Sequence, residues 1–256
     1  MLRLPGMLAT DRVTRARDYV RTRMAALGLW QDGAWRLDAK RRPVWPQTGV
    51  KASRDIGNRY PDAEALIDEP ALLEAVDVLL GGRAFDRSMY PRPQLLVTLP
   101  NIDDWTVPVG WHCDAPRLAS GESTGVQMFT FLEPVAPRGG GTLVIAGSHR
   151  LLNAGRFLRS SELMPLLRRE PYFEGLFAEG PPEARVALLE RTGEVDGVEL
   201  SLVELTGEPG DVWMMDLRMF HTAAPNALDR PRLMATHRFC RADLMEEISA
   251  GLGWMS

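Results

Sequence analysis

Residues 209–216 read Pro209-Gly210-Asp211-Val212-Trp213-Met214-Met215-Asp216, His221 follows, and the chain resumes at Arg232-Leu233-Met234-Ala235-Thr236-His237-Arg238-Phe239-Cys240. A Pro-Gly turn, a strand-like run, a break and a second strand-like run are marks of antiparallel β structure. The intervening loop, Ala224-Pro225-Asn226-Ala227-Leu228-Asp229, is expected to bring the second strand back beside His221. Arg232 then stands eleven positions after His221, at the start of the returning strand.

Upstream, Trp111-His112-Cys113-Asp114 supplies a second histidine and a carboxylate. Residues two apart on a strand share a face, so His112 and Asp114 point one way and Cys113 the other. Two imidazoles and one carboxylate form the facial set of non-haem iron(II) enzymes, which leaves metal positions open for chemistry. His112, Asp114 and His221 are therefore the candidate catalytic and metal-binding residues. Arg232 offers a planar fork suited to a dicarboxylate.

Further strand-like runs lie at Gln94–Leu99, Gly125–Leu132, Thr142–Ala146 and Val198–Leu205. The turn Pro137-Arg138-Gly139-Gly140-Gly141 separates the second from the third and reads as a hairpin turn; no Gly-Lys-Ser/Thr follows to make it a phosphate loop. Two helical stretches precede the strands. In the first, Asp11 to Leu27, Val13, Ala16, Val20, Met24 and Leu27 recur at helical spacing. Thr10 or Asp11 is its candidate cap and Gly28 its end. The second runs from Asp62 to Leu80, with Pro70 starting a new segment and Gly81-Gly82 closing it. Residues 29–61 read as loop and irregular strand, and 148–179 as helical or irregular. No linker or repeat divides the chain. The expectation is one domain over 1–256, with helices at about 10–81 packed on a β core at about 83–240. Inward side chains of a double antiparallel sheet would share one cavity.

With these residues in place, the chain resembles the phytanoyl-CoA dioxygenase family. His112 and Asp114 match its His-x-Asp, His221 its distal metal histidine, and Arg232 its 2-oxoglutarate arginine. Gly139-Gly140-Gly141-Thr142-Leu143-Val144-Ile145-Ala146-Gly147-Ser148-His149-Arg150 is similar to its Gly-rich turn, strand and Pro-Gly-Ser-His element, with Ala146 in place of the proline. The resemblance spans roughly residues 62–240. It implies a mainly β fold with flanking helices and a double-stranded β-helix (jelly-roll, cupin-like) core. It implies an iron(II)- and 2-oxoglutarate-dependent dioxygenase that consumes O₂, hydroxylates a small organic molecule and releases succinate and CO₂. By analogy, Gln127 lines the cosubstrate pocket, on one strand face with Phe129. Ala223 stands where relatives often carry a hydroxyl that touches 2-oxoglutarate. Asp114 is retained where related halogenases have a small residue, which argues against halogenation. Two alternatives of other classes are a non-catalytic jelly-roll that binds a metal or ligand, and a cupin-like metalloenzyme that does not use 2-oxoglutarate.

The remaining candidates have plainer readings. Ser148 is a good helix N-cap, which makes His149 structural. His237 lies five positions after Arg232, an odd offset that turns it away from the pocket. Cys113 reads as buried and inert. The 256 residues can bury a large core, and a net charge of -4 gives no basic excess for nucleic acid. The N-terminus has no apolar signal-peptide core, and no run is long enough to span a membrane. Cys113 and Cys240 are too few for a disulfide framework or a four-cysteine metal site, so a reducing cytoplasm is the expected compartment.

Overall fold

Alternation along the strands decides what each sheet buries. In Gly125–Phe131, Val126 and Met128 join one apolar cluster while Phe129 and Phe131 join another. In Thr142–Ala146, Leu143 and Ile145 face one cluster and Val144 the other. Each sheet thus has two apolar faces: the inner faces pack together and the outer ones are covered by helices.

The structure, a computed structural model, describes residues 1–37, 60–101, 104–153, 155–177 and 181–252. Its elements run β1 (Leu2–Leu4), α1 (Thr10–Ala25), β2 (Trp30–Gln31), β3 (Ala34–Trp35), α2 (Pro70–Leu79), β4 (Phe85–Asp86), β5 (Gln94–Thr98), β6 (Gly125–Phe131) and β7 (Thr142–Ala146). They continue with α3 (Ser160–Leu167), α4 (Pro171–Phe177), α5 (Pro182–Val186), β8 (Thr192–Val195), β9 (Val198–Glu204), β10 (Val212–Asp216), β11 (His221–Ala223), β12 (Arg232–Arg241) and α6 (Met245–Leu252).

A major sheet has the order β1-β10-β6-β12-β4, with β5 also paired to β12. A minor sheet has the order β11-β7-β9-β8. All pairings are antiparallel, and the two sheets make the jelly-roll expected. The outer face of the major sheet packs Val126, Met214, Leu233 and Phe239 against Val13, Ala16 and Val20 of α1 and Leu72 and Val76 of α2. The outer face of the minor sheet packs Leu143, Ile145 and Leu200 against Leu163 and Leu167 of α3 and Phe173 of α4. Between the sheets lie Phe129, Phe131, Val144, Met215, Met219 and Met234.

Four expectations are corrected. The strand from Arg232 does not return beside His221. β12 lies in the major sheet and β11 in the minor one, so the two elements face each other across the interior. The glycine turn at 139–141 is not a hairpin, because it carries the chain from β6 in one sheet to β7 in the other. Such a crossing forces close contact: a Cβ on Gly141 would lie 2.3 Å from the Leu205 carbonyl oxygen. Neither Thr10 nor Asp11 caps α1, whose N-cap is Ala9 without a side-chain bond. Residues 62–80 hold only a short 3₁₀ turn, Ala63–Leu66, before the helix that Pro70 does begin.

β1, β8 and α6 were not expected. Leu2–Leu4 adds an edge strand beside β10, tied by an Arg3–Asp211 ion pair at 2.8 Å. Much of the 29–61 stretch lies outside the described residues; within it, Trp30–Gln31 and Ala34–Trp35 form a small hairpin with the two indoles edge to face. Among the described residues, no helix is long and apolar enough to cross a membrane.

Candidate active site

The segment holding His112 and Asp114 is not a regular strand. A single antiparallel bridge links His112 to His221, with both main-chain bonds made: His112 N to the His221 carbonyl at 3.1 Å and the reverse at 2.8 Å. Asp114 N donates to the Leu217 carbonyl at 3.0 Å. These bonds keep the expected parity. Cys113 is turned into the cluster outside the minor sheet, beside Trp111 and Phe220, and burial raises its thiol pKa. His112 and Asp114 point to the other side.

One donor atom from each of His112, Asp114 and His221 lies within 4.8 Å of the others. The nearest carboxylate oxygens of Asp114 stand 3.7 Å from His112 Nε2 and 3.6 Å from His221 Nε2. His221 Nδ1 lies 3.1 Å from the Met219 carbonyl, so it carries the proton and leaves Nε2 as a free donor atom. Burial holds the His221 pKa down at about 4, outweighing the attraction of Asp114, so the ring is neutral at ordinary pH. Asp114 is also buried. His221 and Arg238 outweigh the cost of that burial and hold its carboxyl below the usual range. Two imidazoles and an ionised carboxylate, convergent on one point, fit a divalent transition metal. The edge of Phe129 closes one side, 6.0 Å from the His221 ring.

Arg232 lies at the start of β12 and is 4% exposed. Its guanidinium donates to Thr98 Oγ1 on the paired strand β5 and to Met234 Sδ, 3.4 Å away in the inter-sheet cluster. Burial lowers its pKa to about 10. Among the described residues no carboxylate forms an ion pair with it. A buried cation without a counter-charge is expensive, and a bound carboxylate would remove that cost. Gln127 lies on the inner face of β6 and donates to Thr236 Oγ1 at 3.2 Å. Its Oε1 is buried with no hydrogen-bond partner among the described residues.

A comparison with protein families finds the phytanoyl-CoA dioxygenase model matching residues 2–234. The chain belongs to the phytanoyl-CoA dioxygenase family. It is an iron(II)- and 2-oxoglutarate-dependent oxygenase that uses O₂. The match begins well before residue 62, so the N-terminal helices are part of the family's fold. No curated protein matches the chain in sequence. Among solved structures it is similar to EctD from S. alaskensis with 2-oxoglutarate and 5-hydroxyectoine, at 19% identity over 94% of this chain and 72% of that one, with a TM-score of 0.52. It is similar to the ThoJ–nickel complex, a non-heme monooxygenase, at 15% identity over 93% and 72% of the two chains, with a TM-score of 0.50. The α-ketoglutarate-dependent epimerase SnoN from nogalamycin biosynthesis matches at 17% identity over 94% and 77%, with a TM-score of 0.48. Identities this low speak for the fold.

In this member of the phytanoyl-CoA dioxygenase family the Gly-Ser-His element works through Ser148, and not as a helix cap. No side-chain cap bond is made at the 3₁₀ turn Ser148–Arg150. Ser148 Oγ instead donates to the Ile145 carbonyl at 2.6 Å and accepts the Phe220 amide at 3.0 Å, one residue before His221. His149 is outside the metal cluster. His237 faces away from the pocket as its parity requires and packs against Phe239, ring centroids 4.7 Å apart.

Four polar residues escaped the sequence reading. Thr98 holds Arg232. Asp216 and Arg218 brace the turn before His221 with a two-pronged ion pair at 2.8–2.9 Å. Arg238 donates from Nε to Asp114 Oδ2 at 2.5 Å. Its signal was present, since Arg232, Met234, Thr236 and Arg238 share one parity on β12, but twenty-eight arginines diluted it.

Proposed function

We propose that His112, Asp114 and His221 hold iron(II), that Arg232 binds the far carboxylate of 2-oxoglutarate, and that the enzyme hydroxylates a small organic molecule with release of succinate and CO₂. The observation that carries this reading is the convergence of three metal donors within 4.8 Å in the cavity of a chain that also buries an uncompensated guanidinium there. When bound, iron(II) and 2-oxoglutarate supply the oxidising power by decarboxylating the keto acid against O₂.

The chain's own groups set the conditions. His221 presents Nε2 because Met219 holds its Nδ1 proton. Arg232 holds a dicarboxylate by charge-assisted bonds, about twice as strong as neutral ones. Thr98 steadies that guanidinium, and Gln127 Oε1 offers an acceptor on the cavity wall. Phe129, Val144 and Met219 exclude water from the inner side. His112, with its side chain 58% exposed, marks the side by which small molecules enter.

EctD, similar in fold, was crystallised with a hydroxylated small molecule, which agrees with a substrate of that class. The chain is read as a single domain, with β1 and α1 contributing to the same core as the strands. A reducing cytoplasm agrees with Cys113 and Cys240, both buried and unpaired. The overall charge of -4 supports neither a nucleic-acid nor an anionic-membrane partner.

The test is succinate release in the presence of iron(II), 2-oxoglutarate and O₂, scanned over small-molecule substrates. Succinate that depends on iron(II) and disappears in Asp114→Ala supports the reading. Turnover that needs no metal refutes it, and turnover indifferent to Arg232→Ala points to a metalloenzyme that does not use 2-oxoglutarate.

A further inference from the structure

We propose that Arg238 positions the Asp114 carboxylate, occupying Oδ2 with a charge-assisted hydrogen bond so that Asp114 ligates through Oδ1 alone. This rests on the iron reading above. The Arg238 Nε–Asp114 Oδ2 bond is 2.5 Å long, between side chains only 12% and 10% exposed. Each oxygen faces one imidazole donor, Oδ1 at 3.7 Å from His112 Nε2 and Oδ2 at 3.6 Å from His221 Nε2, but Oδ1 makes no protein hydrogen bond among the described residues and so stays free to ligate. A carboxylate with one oxygen taken by a short, charge-assisted bond meets a metal through the other.

Arg238 is itself fixed on three sides. Its Nη1 donates to Gln94 Oε1 at 3.2 Å, its guanidinium lies 4.6 Å from the Tyr90 ring centroid, and its main chain sits opposite Gln127 on β6. Nε serves Asp114 while Nη1 serves Gln94. Two bonds in one plane suit a guanidinium and not an ammonium.

The consequence concerns the number of open positions. Three one-atom protein ligands leave a six-coordinate ion three places, which the keto-acid end of 2-oxoglutarate and O₂ require. A carboxylate ligating through both oxygens would take one of them. Arg238 therefore protects cosubstrate binding without touching the cosubstrate. Partners of this kind are worth ten- to a hundred-fold in metal affinity or activity.

The experiment is an anaerobic titration of the iron(II)-loaded full chain with 2-oxoglutarate, read by the visible iron-to-keto-acid charge-transfer band, with iron(II) affinity measured separately by chelator competition. Arg238→Met is expected to keep iron(II) but to weaken 2-oxoglutarate binding about ten-fold or more and to diminish the band. Arg238→Lys, which restores charge but not the fork, is expected to recover only part of the loss. If Arg238→Met does not fold by circular dichroism, Arg238→Gln replaces it with the same expected loss. A folded variant with wild-type cosubstrate affinity and band overturns the proposal, as does one that loses iron(II) outright. A wild-type protein with no band would instead refute the metal and cosubstrate reading itself.

Discussion

His112 and His221, 109 positions apart in the chain, are hydrogen-bonded to each other through their main chains in both directions, at 3.1 and 2.8 Å. Their rings consequently lie side by side, centroids 4.3 Å apart. A mutually bonded antiparallel pair holds two residues distant in sequence directly opposite each other, Cα atoms about 5.5 Å apart. Backbone rather than side-chain contact thus sets the spacing of the two imidazoles, and the third donor arrives two residues further along the same segment.

Asp114 is both a donor and the counter-charge of Arg238. Asp114→Ala should therefore do two things. Iron(II)-dependent succinate release should vanish. The metal-free protein should also lose about 3 to 5 kcal/mol of stability, the usual effect of stranding one half of a buried ion pair. Urea unfolding of the chelator-treated variant checks the second effect, and a stability equal to wild type would contradict it.

Arg232→Ala should raise the 2-oxoglutarate KM about ten- to a hundred-fold, since a hydrogen bond to a charged group is worth roughly 1.5–3 kcal/mol. Removing a buried, uncompensated cation should not destabilise the cosubstrate-free protein as Asp114→Ala does. Steady-state kinetics against cosubstrate concentration and a thermal melt read the two effects separately.

Ser148→Ala removes the acceptor of the Phe220 amide next to His221. A buried donor left unpaired costs about 1–3 kcal/mol, and the His221 segment should loosen with it. A lower melting temperature together with weaker iron(II) binding is expected. A change in neither would mean that Phe220 N finds another partner.

Burial holds both His221 and His237 down at about 4. In the unfolded chain these rings titrate near the ordinary histidine value of about 6.5. Between those limits the unfolded state binds more protons than the folded state, so stability is full above about pH 6.5 and falls as pH drops toward 4. His237→Leu, remote from the metal donors and packed beside Phe239, should flatten that slope. Denaturant midpoints of metal-free protein across this pH range test it, and an unchanged slope in the variant would assign the effect elsewhere.

Local patterning made the strand runs legible. β7 was read at its observed bounds, and β5, β6, β9, β10 and β12 to within a residue at either end, because alternation and turn residues are written into adjacent positions. β1 and β8 were missed, being three and four residues long, too short to show a period. The three metal donors were legible because each carries a distinctive chemistry at a distinctive spacing. Arg238 was not: an arginine has no signature until its neighbour is known.

By itself, the chain's order of residues determined which segments are extended, which face of each is apolar, and which side chains carry metal and carboxylate chemistry. Tertiary structure alone decided that β11 and β12 belong to opposing sheets, that Ser148 braces Phe220, and that Arg238 answers Asp114 across 124 positions. Periodicity and turn chemistry act over a few residues and survive in the sequence. Sheet membership and the pairing of buried charges depend on how distant segments meet, and that is settled by the packing of the whole core.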